Sequence, residues 1–321
     1  DEWSRGVLIW EVNRLYGAYG RGEQSPLEEP AIQYADYAVW QKGWLRGEML
    51  ERQIGYWRGQ LEGVEALELP TDHRRPVRQS YEGAGEGMLI PVETVRKLRQ
   101  LGRGEGVTMF MLLMSAFKIL LHRYSGQERI VVGTPIAGRN QLKVEELIGF
   151  FVNMLAIKTE LGGEVSVREA IGREREAALG AYAHQDVPFE KVVEEIQPER
   201  DLSRHPIFQV TFAYQRAGEE RVEAENLRLS GFGRGLTQAK YDLELSMVEV
   251  GRGMTAAVDY CKALFDGARV RRMLWHLGAL LERMAEDVEQ KIEEIEILSE
   301  SEREQILYEW NDTQVEYAEE K

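Results

Sequence analysis

The sequence predicts an α/β fold in which helices pack on one β-sheet. Helical periodicity and strand-like runs alternate along the chain, which is typical of this class. Toward the C-terminal end, two segments of alternating apolar and polar residues flank Val250-Gly-Arg-Gly and predict a β-hairpin. Hydrophobic residues make up 43% of the 321 residues, which is enough for a sizeable core in one or two domains.

The N-terminal part of the chain is predicted to be mainly helical. Residues 1 to 20 show a helical apolar pattern, which Pro26 and Pro30 end. A second helix is predicted from about residue 43, since apolar side chains there recur at helical spacing. Its apolar stripe consists of Leu50, Ile54, Trp57 and Leu61.

The central part is predicted to contain a buried helix and two short strands. The glycine-rich residues 83 to 87 lead into a strand from Met88 to Ile90. Thr108 can cap the next helix, which is apolar on all sides and is therefore predicted to be buried. The β-branched run from Ile130 to Val132 indicates an inner strand.

The remaining predicted elements are helices on either side of the hairpin. Ser166 and Glu169 form a capping-box pattern that predicts the start of a helix. Asp186 is expected to cap a short helix that begins with Pro188. After the hairpin, a long helix is predicted from Asp266, because apolar residues then alternate four and three positions apart.

Composition excludes several classes of protein. The net charge of −15 argues against nucleic acid as the main partner, because phosphate binding needs clustered basic residues. Residues 282 to 321 are predicted to be a solvated helix face and linker, since they hold 15 acidic against 4 basic residues. The apolar run from Met109 to Leu121 is too short to span a bilayer. With no signal-peptide pattern and a start at Asp1, we expect a cytoplasmic fragment or processed chain.

Residue types that often carry chemistry are interpreted as structural. The single cysteine, Cys261, excludes an internal disulfide and is predicted to be a buried thiol. Trp57 and Trp275 lie on predicted helices and are expected in the core. Motifs such as GxSxG, the P-loop and HExxH are absent, and the five histidines are scattered singly. Composition and spacing alone therefore predict an α/β domain without a specific chemistry.

Ordered segments along almost the whole chain carry a resemblance to one family. They are Tyr34-Ala-Asp-Tyr-Ala-Val-Trp40, Gly133-Thr-Pro-Ile-Ala-Gly-Arg139, Ile148-Gly-Phe-Phe-Val-Asn153, His184-Gln-Asp-Val-Pro-Phe-Glu190, Arg200-Asp-Leu-Ser-Arg-His-Pro206 and Ala239-Lys-Tyr-Asp-Leu243. Together they resemble the condensation domains of nonribosomal peptide synthetases. The segment Glu309-Trp-Asn-Asp-Thr313 is similar to the linker that leads into an adenylation domain.

The resemblance implies a chloramphenicol-acetyltransferase-like two-layer α/β sandwich, mainly the C-terminal subdomain of a two-lobed condensation domain. Residues 1–30 would be the end of the N-terminal subdomain and the crossover, 31–298 the C-terminal subdomain, and 299–321 the linker. The surface that faces the missing N-terminal subdomain is expected to be exposed and apolar.

The resemblance also implies the site. The family's signature is HHxxxDG, and Asp1-Glu2-Trp3-Ser4 resembles its last aspartate and the following residues, so both histidines are expected before Asp1. Asp1 is expected to hold the histidine loop in a bidentate ion pair with Arg139. Asn153 is either a structural hydrogen-bonding residue or a donor that faces the reaction tunnel, and the resemblance favours the tunnel. These three residues are the predicted catalytic set.

Other motif residues are interpreted as structural. His184 and Asp186 are not an obvious dyad, because residues two positions apart do not face each other on a helix. The rigid turn in which Asp186 caps a helix is the favoured interpretation of this segment. Tyr34, Asp36 and Trp40 are expected to pack and to anchor a loop.

The implied activity is amide formation between carrier-bound aminoacyl or peptidyl thioesters. No cofactor is expected to bind directly, because phosphopantetheine arrives on the carrier domains. The implied partners are upstream and downstream peptidyl carrier domains, an adenylation domain and the missing N-terminal subdomain, with no nucleic acid and no membrane. The isolated chain is expected to be inactive. The alternatives are an epimerisation or heterocyclisation domain of the same fold, and a non-catalytic recruiting module.

Overall fold

The computed structural model describes residues 1–198, 201–216, 223–224, 227–228, 238–251 and 253–312. The helices in these ranges are α1 (Glu2–Gly20), α2 (Tyr34–Trp44), α3 (Gly47–Leu61), α4 (Val92–Gly104), α5 (Met109–Ser125), α6 (Leu142–Glu145), α7 (Val167–Ala183), α8 (Phe189–Ile196), α9 (Gly267–Glu286) and α10 (Glu300–Glu304). The strands are β1 (Gly83–Ile90), β2 (Arg129–Ile136), β3 (Asn153–Glu160), β4 (Val210–Arg216), β5 (Glu223–Ala224), β6 (Leu227–Arg228), β7 (Leu243–Val250) and β8 (Gly253–Cys261).

Six of these strands form one mixed sheet in the order β1-β8-β7-β4-β2-β3. The pairs β1/β8, β8/β7 and β2/β3 are antiparallel, whereas β7/β4 and β4/β2 are parallel. Along β4 and β7 the register runs over seven residue pairs from Val210↔Leu243, but β2 and β4 meet only at Gly133↔Thr211. The sheet therefore consists of a four-stranded part and the β2–β3 pair, which a single register pair joins.

The predicted helix starts of α5 and α7 are confirmed. The Thr108 hydroxyl accepts a hydrogen bond from the Met111 N–H at 3.2 Å, which satisfies a free donor of the first turn. The Ser166 hydroxyl accepts from the Glu169 N–H, and the Glu169 carboxylate accepts from the Ser166 N–H. As predicted, α5 is buried along nearly its whole length, from Met111 to His122.

The predicted hairpin is also confirmed. Strands β7 and β8 pair antiparallel from Leu243↔Tyr260 to Val250↔Gly253. Arg252, in the predicted turn, lies outside the described residues. Cys261 at the end of β8 is 4% exposed, as expected of a buried thiol, and its S–H donates to the Ser80 carbonyl oxygen at 3.4 Å. Burial raises the pKa of this thiol.

Trp57 is in the core, but the same prediction for Trp275 is wrong. Trp57 is 3% exposed, whereas Trp275 is 62% exposed. The buried face of α9 includes Leu274 and Leu277, and Trp275 follows Leu274 by one position, about a quarter of a turn around the helix. Its indole therefore points to solvent rather than toward the sheet.

A buried ion pair crosses the core between α5, β3 and α7. The Lys118 ammonium donates to the Glu174 carboxylate and to the Thr159 hydroxyl, both at 2.8 Å, and both charged side chains are 0% exposed. The Thr159 hydroxyl in turn donates to the same Glu174 oxygen at 2.6 Å. Burial lowers the pKa of the Lys118 ammonium, because a low-dielectric interior disfavours charge.

Helix α1 carries exposed apolar side chains at several positions. Trp10 is 54% exposed, Tyr19 is 60% exposed and Leu8 is 48% exposed. The apolar surface that the resemblance implies toward an N-terminal subdomain stays a prediction. Among the described residues, no single helix has the length and apolarity of a membrane span, although α4 and α5 meet those criteria together as a pair bent by 106°.

The C-terminal part of the described chain is a short helical extension. α10 starts with a capping box between Ser299 and Glu302, and Gln305–Glu309 continues it as a π-helical turn. The Glu302 carboxylate accepts from His276 on α9 at 3.2 Å, which attaches this extension to the body. Thr313, the last residue of the linker-like segment, lies outside the described residues.

Candidate functional site

The Asp1 carboxylate joins the start of α1 to a loop that is distant in sequence. One oxygen, Oδ1, accepts the Ser4 N–H at 2.7 Å and so caps the helix. The other, Oδ2, accepts the Phe151 N–H at 3.0 Å. The carboxylate side chain is only 6% exposed. A single side chain therefore fixes both the first turn of α1 and the loop before β3.

Arg139 lies beside Asp1, but the pair is not bidentate as expected. Its Nη2 is 3.5 Å from Asp1 Oδ1, and its side chain is 1% exposed. Nη2 donates at 2.7 Å to the Ser4 hydroxyl instead, and Nη1 donates to the carbonyl oxygens of Val144 and Leu147. Burial lowers the pKa of Arg139. The guanidinium is planar and offers five donors, so it can bind a loop and a helix at once.

The loop between β2 and β3 is folded tightly enough to need glycine at two positions. Gly138 has a φ of +65°, and a Cβ placed there would lie 2.0 Å from the Phe151 carbonyl oxygen. A Cβ on Gly149 would lie 2.3 Å from the Tyr34 ring. The Phe151 ring packs against the Arg139 guanidinium, whose Cζ is 4.1 Å from the ring centroid. The close approach of these segments brings Arg139 to Asp1.

Asn153 does not point a free amide into a tunnel, as the resemblance favoured. Its Nδ2 donates to the carbonyl oxygens of Gln185 at 2.9 Å and Val187 at 2.7 Å. Its Oδ1 accepts the Phe189 N–H at 2.9 Å. These bonds use both donors of the amide, and Asn153 begins β3 rather than ending a strand. The side chain is a structural connector between β3 and the segment before α8.

Asp186 does not cap α8, so that prediction is wrong. The N-cap of α8 is Pro188, without a side-chain cap bond. The Asp186 carboxylate instead accepts a hydrogen bond from Gln53 on α3 at 3.4 Å. Burial raises the pKa of Asp186, because its charged form is poorly solvated there.

His184 has structural contacts of its own. Its Nδ1 lies 2.8 Å from the Gly180 carbonyl oxygen, and its ring stacks on Tyr56 with 4.0 Å between centroids. Burial raises the pKa of the Tyr56 hydroxyl to about 12. Neither contact of the histidine ring involves Asp186, in agreement with the expectation that the two are not a dyad.

The residues of the YxDYAVW-like segment form a helix, not a loop. Tyr34 donates to the Phe150 carbonyl oxygen at 2.9 Å, and Asp36 accepts the Gln33 N–H at 2.9 Å to complete a capping box. Tyr34 and Asp36 thus anchor α2 beside the site. Trp40 stacks on Trp44 but remains 43% exposed, so its expected packing is incomplete.

Sequence reasoning missed Ser4 as part of the site. Its hydroxyl donates to the Gly149 carbonyl oxygen at 2.7 Å and accepts from Arg139 and from the Gly149 N–H. The available signal was its place three residues after a capping aspartate, at the end of the resemblance to the signature.

The site holds polar groups in place, and its described residues offer no metal centre. No group of three or more His, Cys, Asp or Glu side chains in the described ranges is arranged to hold a metal ion. Each of the five histidines has a polar partner away from Asp1 and Arg139. The partners are Asp266 for His73, Glu293 for His122, Gly180 for His184, Pro206 for His205, and Tyr124 and Glu302 for His276. Around Asp1 and Arg139, the described residues instead form a hydrogen-bond network that includes Ser4, Gly149 and Phe151.

Comparison with known proteins gives consistent matches along the chain. Residues 1–307 match the family model described as Condensation domain. The chain is 46% identical over 324 residues to a protein of the linear gramicidin synthase from Brevibacillus parabrevis, a match that covers 100% of this chain and 6% of that protein. It is 39% identical over 316 residues to bacitracin synthase 1 of Bacillus licheniformis, a match that covers 98% of this chain and 6% of that protein. The chain therefore spans only a small part of the length of these relatives.

Solved structures with the same fold include the X-domain from teicoplanin biosynthesis. That chain aligns with a TM-score of 0.86 and 28% identity, over 93% of this chain and 69% of the X-domain chain. A four-domain nonribosomal peptide synthetase bound to AMP and glycine aligns with a TM-score of 0.84 and 24% identity, over 94% of this chain and 24% of that one. These likenesses confirm the predicted chloramphenicol-acetyltransferase-like α/β fold.

Proposed function

Because the chain belongs to the condensation-domain family, we propose that it forms one wall of a site that joins carrier-bound aminoacyl or peptidyl groups. The reaction is amide formation in nonribosomal peptide synthesis. One structural observation carries the proposal further than the family match alone. Asp1 and Arg139, the two residues that resemble the family's motif positions, lie in contact and are nearly buried.

The proposed chemistry is the aminolysis of a thioester. The amine of one carrier-bound group attacks the thioester carbonyl of the other, a C–N bond forms, the C–S bond breaks, and the released thiol keeps a proton from the amine. Holding two reactants in register supplies up to about 7–11 kcal/mol in well-oriented systems. A positioned base adds a factor of about 10²–10⁴. We assign this chain the orienting part, because all five of its histidines are engaged elsewhere.

The site residues of this chain act by holding their neighbourhood in shape. Asp1 fixes the polypeptide at the start of α1 through its bonds to Ser4 and Phe151. Arg139 holds the connection from β2 to β3 through carbonyl oxygens at the end of α6 and just after it. We propose that the reacting groups pass along the surface that Asp1 and Arg139 hold in place, and that Asn153 stabilises this surface without contacting substrate.

The partners follow from the proposed reaction. Donor and acceptor arrive as thioesters on the phosphopantetheine arms of an upstream and a downstream peptidyl carrier domain. The exposed apolar side chains of α1 are proposed to face the N-terminal subdomain of the condensation domain. Residues 299–321 are proposed to lead toward an adenylation domain. No part of this assignment involves nucleic acid or a membrane.

The proposal is tested with the full-length synthetase that carries these residues. Donor and acceptor carriers are loaded, and the coupled product is measured by mass spectrometry in a single turnover. We expect amide product from the wild type and a rate about 10²-fold lower from Arg139→Ala, because a displacement of about 1 Å at a site costs that much. Arg96→Ala is the control, since Arg96 pairs with Glu93 on the surface of α4.

The products also separate the proposal from its rivals. A heterocyclisation domain would give a product lighter by a further water, and an epimerisation domain would invert a stereocentre without coupling. A recruiting module would bind a partner protein and form no product. Any of these results from the wild-type synthetase refutes the proposed function. The isolated 321-residue chain is expected to give no product with the same carriers.

A further inference from the structure

We propose that the Ser4 hydroxyl is a positioning residue, which locks the Arg139 guanidinium and the loop before β3 onto the first turn of α1. The inference rests on the proposed function, because the reaction whose geometry it sets is the one proposed above. Ser4 touches neither reacting group, so its effect passes through Arg139 and Asp1.

The hydroxyl of Ser4 is fully used by contacts that lie far away in sequence. It donates to the Gly149 carbonyl oxygen at 2.7 Å, and it accepts from Arg139 Nη2 at 2.7 Å and from the Gly149 N–H at 3.1 Å. One donor and two acceptor sites are all that a serine hydroxyl has. The residue is 6% exposed, so water does not compete freely for these bonds.

This pattern differs from the ordinary role of a serine in a helix. Serine within a helix usually bonds back to a carbonyl one turn earlier, which serves the helix alone. Here the hydroxyl bonds to Gly149, 145 positions away, and to Arg139, 135 positions away. The same residue also gives its backbone N–H to Asp1 Oδ1 at 2.7 Å. Ser4 is therefore the point at which Asp1, Arg139 and the loop are connected.

Arg139 depends on Ser4 more than on Asp1. The contact to Ser4 is 2.7 Å, whereas the nearest Asp1 oxygen is 3.5 Å away and is already bonded to the Ser4 N–H. Within the described residues, Arg139 Nε is buried without a hydrogen-bond partner. Without the hydroxyl, Nη2 keeps only the longer contact to Asp1. Loss of Oγ thus releases one end of the guanidinium and both polar groups of Gly149.

The test compares Ser4→Ala with wild type in the full-length synthetase. We expect the single-turnover rate at saturating acceptor carrier to fall about 10- to 100-fold, because positioning acts on the reacting geometry. The carrier concentration that gives half the maximal rate should stay within about threefold, since no substrate contact is lost. The matched control is Ser166→Ala, which removes the same atom from the cap of α7, a helix that packs on β3 and α5.

Amide hydrogen exchange gives a second measurement that does not need activity. In Ser4→Ala, the N–H groups of Gly149 and Phe151 should exchange at least about tenfold faster, while those of Ile130 to Val132 keep their protection. Ser166→Ala should leave Gly149 and Phe151 unchanged. An unchanged rate, an unchanged exchange at this loop, or an equal loss of rate in Ser166→Ala overturns the inference. If the wild-type synthetase makes no amide, the proposed function is refuted instead. In that case the hydrogen exchange at Gly149 and Phe151 still tests whether Ser4 holds the loop.

Discussion

The buried pair between Lys118 and Glu174 allows a sharp test of how the core is stabilised. Lys118→Met removes the ammonium but keeps an unbranched apolar side chain in α5. It leaves the Glu174 carboxylate 0% exposed, with the Thr159 hydroxyl at 2.6 Å as its remaining donor in the described structure. The loss of stability in this variant therefore measures the free-energy cost of burying a single unpaired charge.

The expected loss is large compared with the whole stability of a domain. Removing one partner of a buried ion pair costs about 3–5 kcal/mol, because the remaining charge is desolvated without compensation. A folded domain is stable by only about 5–15 kcal/mol, so this single change removes a large share of it. Replacing both partners, in Lys118→Met with Glu174→Leu, should recover at least about 2 kcal/mol, since no buried charge is then left.

Equilibrium unfolding in urea, followed by circular dichroism at pH 7, measures these free energies. Lys262→Met is the matched control, because Lys262 pairs with Glu82 at 2.6 Å but both side chains are largely exposed. Such a surface pair contributes little, so the control should unfold at nearly the wild-type urea concentration. A loss below about 1 kcal/mol for Lys118→Met, or a double variant no more stable than the single one, would refute this reasoning.

Two further changes test the site. Gly138→Ala should lower the free energy of unfolding by about 1–3 kcal/mol, because the residue has a φ of +65° and its Cβ would meet the Phe151 carbonyl oxygen. The control is Gly172→Ala in α7, where the space around the new Cβ is open, and it should raise the free energy of unfolding by about 0.5–1 kcal/mol. Equal urea midpoints for the two variants would contradict the predicted strain at Gly138. Burial raises the pKa of Asp186 above its ordinary 3.8. The protonated carboxyl therefore contributes to the stability of the wild type below pH 3.8, and this contribution is lost as the pH rises through the folded-state pKa. Asp186→Asn should therefore be more stable than wild type at pH 7, with a difference that shrinks toward pH 3.8; a pH-independent difference would show that this carboxyl keeps its ordinary pKa.

Elements with local signals could be predicted from the sequence. The starts of α5 and α7 depend on a hydroxyl that bonds an N–H within the same turn, so Thr108 and Ser166 are sufficient to locate them. The β7–β8 hairpin follows from alternation on both sides of a short turn. The start of α1 belongs to this group as well, because the Asp1 carboxylate caps it.

Elements whose role depends on distant partners could not be predicted in this way. Asp186 stands three positions before the first residue of α8, but Gln53 on α3 binds its carboxylate and Pro188 takes the cap position. Asn153 has the polar side chain of a binding residue, yet three backbone groups near α8 occupy it. The start of α2 is missed for a local reason instead, because its capping box uses Gln33, an uncommon first residue for that motif.

The contact of β2 and β4 at one register pair, Gly133↔Thr211, has a mechanical consequence. A sheet resists bending through its ladder hydrogen bonds, so the seam with the shortest ladder is where bending costs least. The polypeptide that joins β2 to β3 contains Arg139 and Phe151, and both are tied to α1 rather than to β4. The β2–β4 seam is therefore the shortest ladder of the sheet, and the contacts of Asp1, Ser4 and Arg139 hold the connection between β2 and β3 from the side of α1.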